Sequence, residues 1–387
     1  MSDRTVARIN PATLVWAREV RGMPGEVAAR RIGVSAARLA ELEDGASQPT
    51  LNQLRSIGRV YRKPSAFFYT SELPPKPEQP RDFRRLPDAD TGLSPELRDA
   101  IARSRQRRED ALDLAVLLEQ PRNAFGVVAT IEAAPEDLAD RIRARVGIGL
   151  NEQLTWREQY AALRNWTEGV EACGVLVSQF SDVDVSEARG FSIGDQPLPL
   201  VALNGKDSPR AKVFTLFHEL THISLGATGV CDLHDSGDDY RARIETFCNL
   251  VAAEVLVPRA AILGQDVVAT HRGVEWDDDD IRELATRFSV SHEVILRRLL
   301  TFERTSQSFY RRKREEYRRR LETSESAGGF MPYFRRILRD NGSAFTALAV
   351  EAYRIDAITS IELSRLLGGM KLRHLENVEH ALARRKG

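Results

Sequence analysis

The chain has 387 residues, 42% hydrophobic and 29% charged, and its 56 Lys and Arg balance 56 Asp and Glu to a formal net charge of zero. That length accommodates two or three domains, and the zero net charge excludes a global field drawing the protein to nucleic acid or membrane, so any such contact must come from a local patch. Three scattered cysteines, Cys173, Cys231 and Cys248, argue against a disulfide framework, and no apolar run approaches the roughly 18 residues of a membrane span; the expectation is a cytoplasmic protein that does not engage membrane.

Residues 1–72 read as an all-α unit. Asn10-Pro11 is an N-cap followed by proline at the first helical position, opening a helix that runs to Gly22. A short helix spans Gly25 to Ile32, Gly33-Val34-Ser35 turns, and Ser35 caps a third helix, Ala36 to Asp44. Pro49-Thr50-Leu51 opens a fourth, with Leu54, Ile57 and Tyr61 on its apolar face. Helix, glycine-containing turn, helix is the grammar of a helix-turn-helix. The run from Ala28 to Leu54 resembles the repressor-type class often termed Xre-like. The resemblance implies double-stranded DNA as a partner, with Ser35 and Arg38 at the major groove and Gln48 on a phosphate. Against it, Glu41, Glu43 and Asp44 oppose phosphates, and Ala36 and Ala37 cannot hydrogen-bond bases. A protein partner is therefore left open.

Residues 73–92 form a Pro-rich linker, extended and semi-rigid, with Phe83 as an anchor at its end. The second domain is expected over 93–305 and a C-terminal helical region over 306–387. A long polar helix follows Leu93, its cluster Arg103, Arg105, Arg107 and Arg108 expected on a solvated face. Helices are expected at Pro135–Val146 and Thr155–Cys173, the latter with Trp156, Tyr160, Leu163 and Trp166 as a core-facing aromatic stripe. Strands follow at Gly174–Ser178, Gly190–Ile193 and Pro199–Leu203. The last of these is expected to offer an open edge to which an extended peptide could add.

The helix Val213 to Ile223 contains His218-Glu219-Leu220-Thr221-His222. Residues at i and i+4 leave one helix face a turn apart, so His218 and His222 can bite one zinc ion. Glu219 is offset by about 100° and reaches water rather than metal. Phe214, Phe217, Leu220 and Ile223 bury this helix, and buried polar groups cost free energy unless paired; a metal supplies the pairing. Since H-E-x-x-H also arises by chance, a third ligand decides the matter. Ile244 to Pro258 has a helical apolar period, with Glu245 near its start as candidate ligand and Glu254, nine residues on, as competitor. Two histidines and one glutamate would leave a position open for water, as in catalytic zinc sites. In the polar loop 230–240, His234 is either solvated or a donor over the site. Acidic residues after Trp276 suit a helix N-terminus, and the basic run Arg311–Arg320 reads as an exposed helix face with Glu pairs.

Phe214-Thr215-Leu216-Phe217-His218-Glu219-Leu220-Thr221-His222, followed by Glu245 to Pro258, resembles the ImmA/IrrE family of metallopeptidases. Arg189-Gly190-Phe191-Ser192 and Leu200 to Asn204 extend the resemblance, which covers roughly residues 150 to 260. It departs at Phe217, where a small residue is usual. The implied fold is mainly α with a small β-sheet, an α+β zincin-like peptidase domain beside the all-α helix-turn-helix domain. The implied site is gluzincin-like: zinc, with manganese as a substitute in vitro, on His218, His222 and Glu245, and Glu219 as general base. The implied activity is a metalloendopeptidase acting on a transcriptional repressor or related regulator in a stress or prophage response. A DNA-binding regulator that uses the peptidase fold as a sensor, or a toxin–antitoxin-type partner, is the rival reading. Self-association is left open.

Overall fold

The computed structural model describes residues 6–75, 93–121, 124–226, 238–323 and 331–384. Phe83, Cys231 and His234 lie outside the described residues. The chain divides into two compact units, Met1–Arg103 and Ser104–Gly387.

The first unit contains α1 (Pro11–Val20), α2 (Gly25–Ile32), α3 (Ala36–Glu43), α4 (Leu51–Tyr61) and a short 3-10 turn, Ser65–Tyr69. The side chains of Asn10 and Ser35 accept from Ala12 N and Arg38 N at the starts of α1 and α3, and Thr50 and Gln53 form a reciprocal capping box at α4. Leu14, Leu39, Leu42, Leu54, Ile57, Tyr61 and Phe68 make the core of this unit. The division falls inside α5 (Pro95–Leu117) rather than in the Pro-rich stretch. Within the first unit, Asp99 pairs with Arg21 and Arg62, and Glu96 pairs with Arg31. These pairs hold the first turns of α5 to the helices before it.

In the second unit α6 (Pro135–Val146), α7 (Leu150–Gln153) and α8 (Gln159–Ala172) precede a three-stranded sheet of β1 (Leu176–Phe180), β2 (Gly190–Ile193) and β3 (Leu200–Asn204). β3 lies in the middle, parallel to β1 and antiparallel to β2. The strand before the histidine-bearing helix is thus interior, not the edge; the open-edge expectation moves to β2. β1 begins two residues later than its apolar run suggested, because Gly174 is left-handed at φ +85° and closes the turn after α8. α8 likewise begins only at Gln159, and Tyr160, in its first turn, is 66% exposed. The buried stripe of α8 is Ala162, Leu163, Trp166 and Val170. Trp156, on the preceding turn, still reaches it edge-on at 5.3 Å from Trp166.

α9 (Pro209–Gly226) lies against β2, β3 and α8, and α10 (Asp238–Leu256) packs on α9 and α6. Short α11 (Arg259–Leu263) and α12 (Asp266–Thr270) lead to α13 (Asp278–Arg287), α14 (His292–Thr301) and α15 (Gln307–Thr323). On α15 the basic run is paired as expected: Arg312 with Glu275, Arg314 with Glu293 and Arg319 with Glu315. α16 (Tyr333–Asn341), α17 (Ser343–Arg354), α18 (Ser360–Leu366) and α19 (Leu375–Ala383) complete the unit. Gly342, between α16 and α17, approaches so closely that a Cβ there would sit 2.1 Å from the Val177 carbonyl of β1.

The arginine cluster of α5 is not a solvated face throughout. Arg108 is buried and donates to the carbonyls of Asp195, Pro197 and Leu198, satisfying the β2–β3 loop. Burial lowers Arg107 to about 10, and its guanidinium donates to Asn341 of α16. The architecture is mainly α with a small mixed sheet, and among the described residues no helix is long and apolar enough to cross a membrane.

Candidate metal centre

α9 is apolar on almost every side, with Val213, Leu216, Phe217, Leu220 and Ile223 all buried. His218 and Glu219 are buried within it, and His222 is partly covered. One turn apart, the two imidazoles bring their Nε2 atoms to 3.1 Å. α10 supplies the third member: Glu245 places one carboxylate oxygen 3.4 Å from His218 Nε2 and the other 3.2 Å from His222 Nε2. Zinc bonds of about 2.0–2.2 Å at tetrahedral angles put ligand atoms about 3.3–3.5 Å apart. The three donors therefore stand close to the spacing such an ion needs.

Electrostatics agree with that fit. Burial would lower His222, but Cys248, Glu245 and Glu219 outweigh it and hold this imidazole well above its ordinary range. Burial would raise Glu245, yet hydrogen bonds from His218 and His222 hold it well below the usual carboxylate range. A divalent cation in the cage would offset the same negative charge, and its binding would favour neutral imidazoles.

Neighbouring residues of α10 orient the cage. Asn249 Oδ1 lies 3.1 Å from His218 Nδ1 and accepts its hydrogen bond, which leaves the Nε2 lone pair for a metal. Cys248 also approaches: a ligand atom of each of His218, His222 and Cys248 falls within 4.8 Å of the others. Two triads thus share the histidine pair. The 3.2–3.4 Å spacing of the carboxylate fits one coordination sphere better, and burial raises the Cys248 thiol against forming the thiolate that binds metal. Glu254, the competing ligand, is elsewhere: it pairs with buried Arg298 of α14 and accepts from Arg259 N.

Glu219 faces the sheet. Ser192 Oγ donates to Glu219 Oε2 at 2.9 Å. The glycine at 190 permits this approach, since a Cβ there would meet Thr215 Cγ2 at 2.5 Å. Alternation along β2 then puts Ser192 on the same face as Gly190. We expect Ser192→Ala to lower the turnover number about tenfold, equivalent to about 1.4 kcal/mol, with metal content and KM unchanged, and Ser192→Thr to recover most of the loss. Steady-state kinetics with metal analysis checks this, and a variant that sheds its metal would make the serine part of the scaffold.

The three residues assigned to DNA are all engaged inside the first unit. Ser35 caps α3, Arg38 donates to Glu41, Ser47 and the Gln48 carbonyl, and Gln48 Oε1 accepts from Ile9 N.

Residues 171–300 match the family model described as Peptidase_M78, the IrrE N-terminal-like domain. The match spans about a third of the chain, from β1 through nearly all of α14, and includes both histidines, Glu219 and Glu245. It supports a peptidase domain of the ImmA/IrrE type. No curated protein matches the chain.

Proposed function

We propose that the chain is a metal-dependent endopeptidase that cleaves a regulatory protein, with His218, His222 and Glu245 holding one divalent cation, most suitably zinc. The observation that carries this reading is the Glu245 carboxylate bridging the two Nε2 atoms, with Glu219 beside them on α9. A zinc ion in that cage supplies Lewis acidity and brings water into the neutral-pH deprotonation range. Glu219 takes the proton of the attacking water and passes it to the leaving amine, while Ser192 keeps its carboxylate turned to the sheet. β2, at the sheet edge, offers main-chain groups to an extended substrate next to Glu219. The first unit serves as an address that holds a protein partner. Its Arg38, Ser35 and Gln48 are spent on internal bonds, and the exposed positions of α3 include Ala36, Ala37, Ala40 and Glu41.

The test is to strip the full-length protein with a chelator, restore zinc or manganese, and incubate each form with repressor proteins encoded near its gene. Fragments that form only with metal restored are the expected result. A zinc-loaded protein that cuts none of them yet changes their DNA occupancy would favour the sensor reading.

A further inference from the structure

We propose that the second unit carries a binding site for a small phosphorylated ligand of nucleotide size, separate from the metal centre. α8, α16 and α19 surround an open cavity of about 650 Å³, within the range that takes up single small molecules. Arg164, Arg335, Arg384 and His380 line it, together with the carboxylate of Glu168 and Phe334 as an aromatic wall. Among the described residues none of these three guanidinium groups enters an ion pair, whereas arginines of α15 find carboxylate partners. In a chain with no net charge, three exposed arginines and one glutamate on a single cavity leave a local positive excess. Guanidinium forks match phosphate oxygens two at a time. Phe334 can cover a base. A di- or triphosphate nucleoside uses both features; orthophosphate uses only the first. Every lining residue lies outside the matched segment 171–300.

The cavity is also tied to α9. Trp166, two residues from both Arg164 and Glu168, is fully buried and meets Phe217 edge-on at 4.8 Å. Phe217 directly precedes His218, so a ligand that shifts α8 would act on the metal helix through packed side chains.

The experiment is calorimetric titration of the full-length protein with ATP, GTP, orthophosphate and a short DNA duplex in separate runs. Expected is saturable binding of at least one nucleotide, at least about tenfold tighter than orthophosphate. The double variant Arg335→Glu, Arg384→Glu should weaken it by a further factor of about ten or more, with zinc content unchanged. Arg164→Glu is the second variant, read the same way, should the first not fold. No saturable binding up to millimolar nucleotide would overturn the proposal. So would nucleotide binding that the variants leave intact, or binding of the duplex alone. None of these results bears on whether the metal centre cuts peptides.

Discussion

Replacing Glu219 by Gln should leave the protein folded and metal-loaded but lower the cleavage rate by about 10²–10⁴-fold, the contribution expected of a positioned proton carrier. The amide keeps the size of the side chain and can still accept from Ser192, which now contacts Glu219 Oε2 at 2.9 Å. What it loses is the capacity to take a proton and hand it on. Its distinctness from the ligands rests on direction: His218 and His222 turn to Glu245 on α10, while Glu219 turns to β2. Metal analysis beside the rate measurement separates the roles. A variant emptied of zinc would place Glu219 among the ligands, and one that still cleaves at the parent rate would move the proton transfer to another group.

Much of this site could be read from spacing, because helical period fixes which residues share a face before any tertiary contact is known. The i, i+4 spacing set the two histidines on one face, but the choice of Glu245 over Glu254 came from the resemblance, since the helical period alone left both open. The same rule held a signal that was passed over: Cys248 and Asn249 stand three and four residues after Glu245, so they face α9 as it does. Ser192 carried no such signal. Its role depends on β2, not β3, forming the sheet edge, and strand order is a long-range outcome that alternation cannot reveal. Arg107 and Arg108 misled for a related reason. A charge cluster on a long helix usually meets water, yet here it meets carbonyls of a distant loop and an asparagine of α16. The helices of the first unit were legible down to their caps, since Asn10, Ser35 and Thr50 act on their own neighbours. Ser35, Arg38 and Gln48 as DNA contacts came from resemblance; here Ser35 Oγ, the Arg38 guanidinium and Gln48 Oε1 each hold an internal bond.

Glu245→Ala and Glu254→Ala, two changes nine residues apart on α10, should have opposite signatures. Glu245→Ala removes a carboxylate that lies within 3.4 Å of both Nε2 atoms. Metal affinity should fall by more than the roughly 10–100-fold typical of losing an outer-shell partner, and activity should fall with it. Glu254→Ala should keep its zinc. It strips the partner from Arg298, whose side chain is only 3% exposed, and leaves Arg259 N without its acceptor. Removing one member of a buried pair costs about 3–5 kcal/mol, so this variant should melt well below the parent while holding a full complement of metal. The size of the penalty also reflects position, because the Glu254–Arg298 pair joins the ligand helix α10 to α14. Equilibrium metal titration and thermal unfolding of both variants decide the matter. If Glu254→Ala lost the metal and Glu245→Ala kept it, the cage would have to be rebuilt around the other carboxylate; if both kept it, Cys248 would become the third ligand.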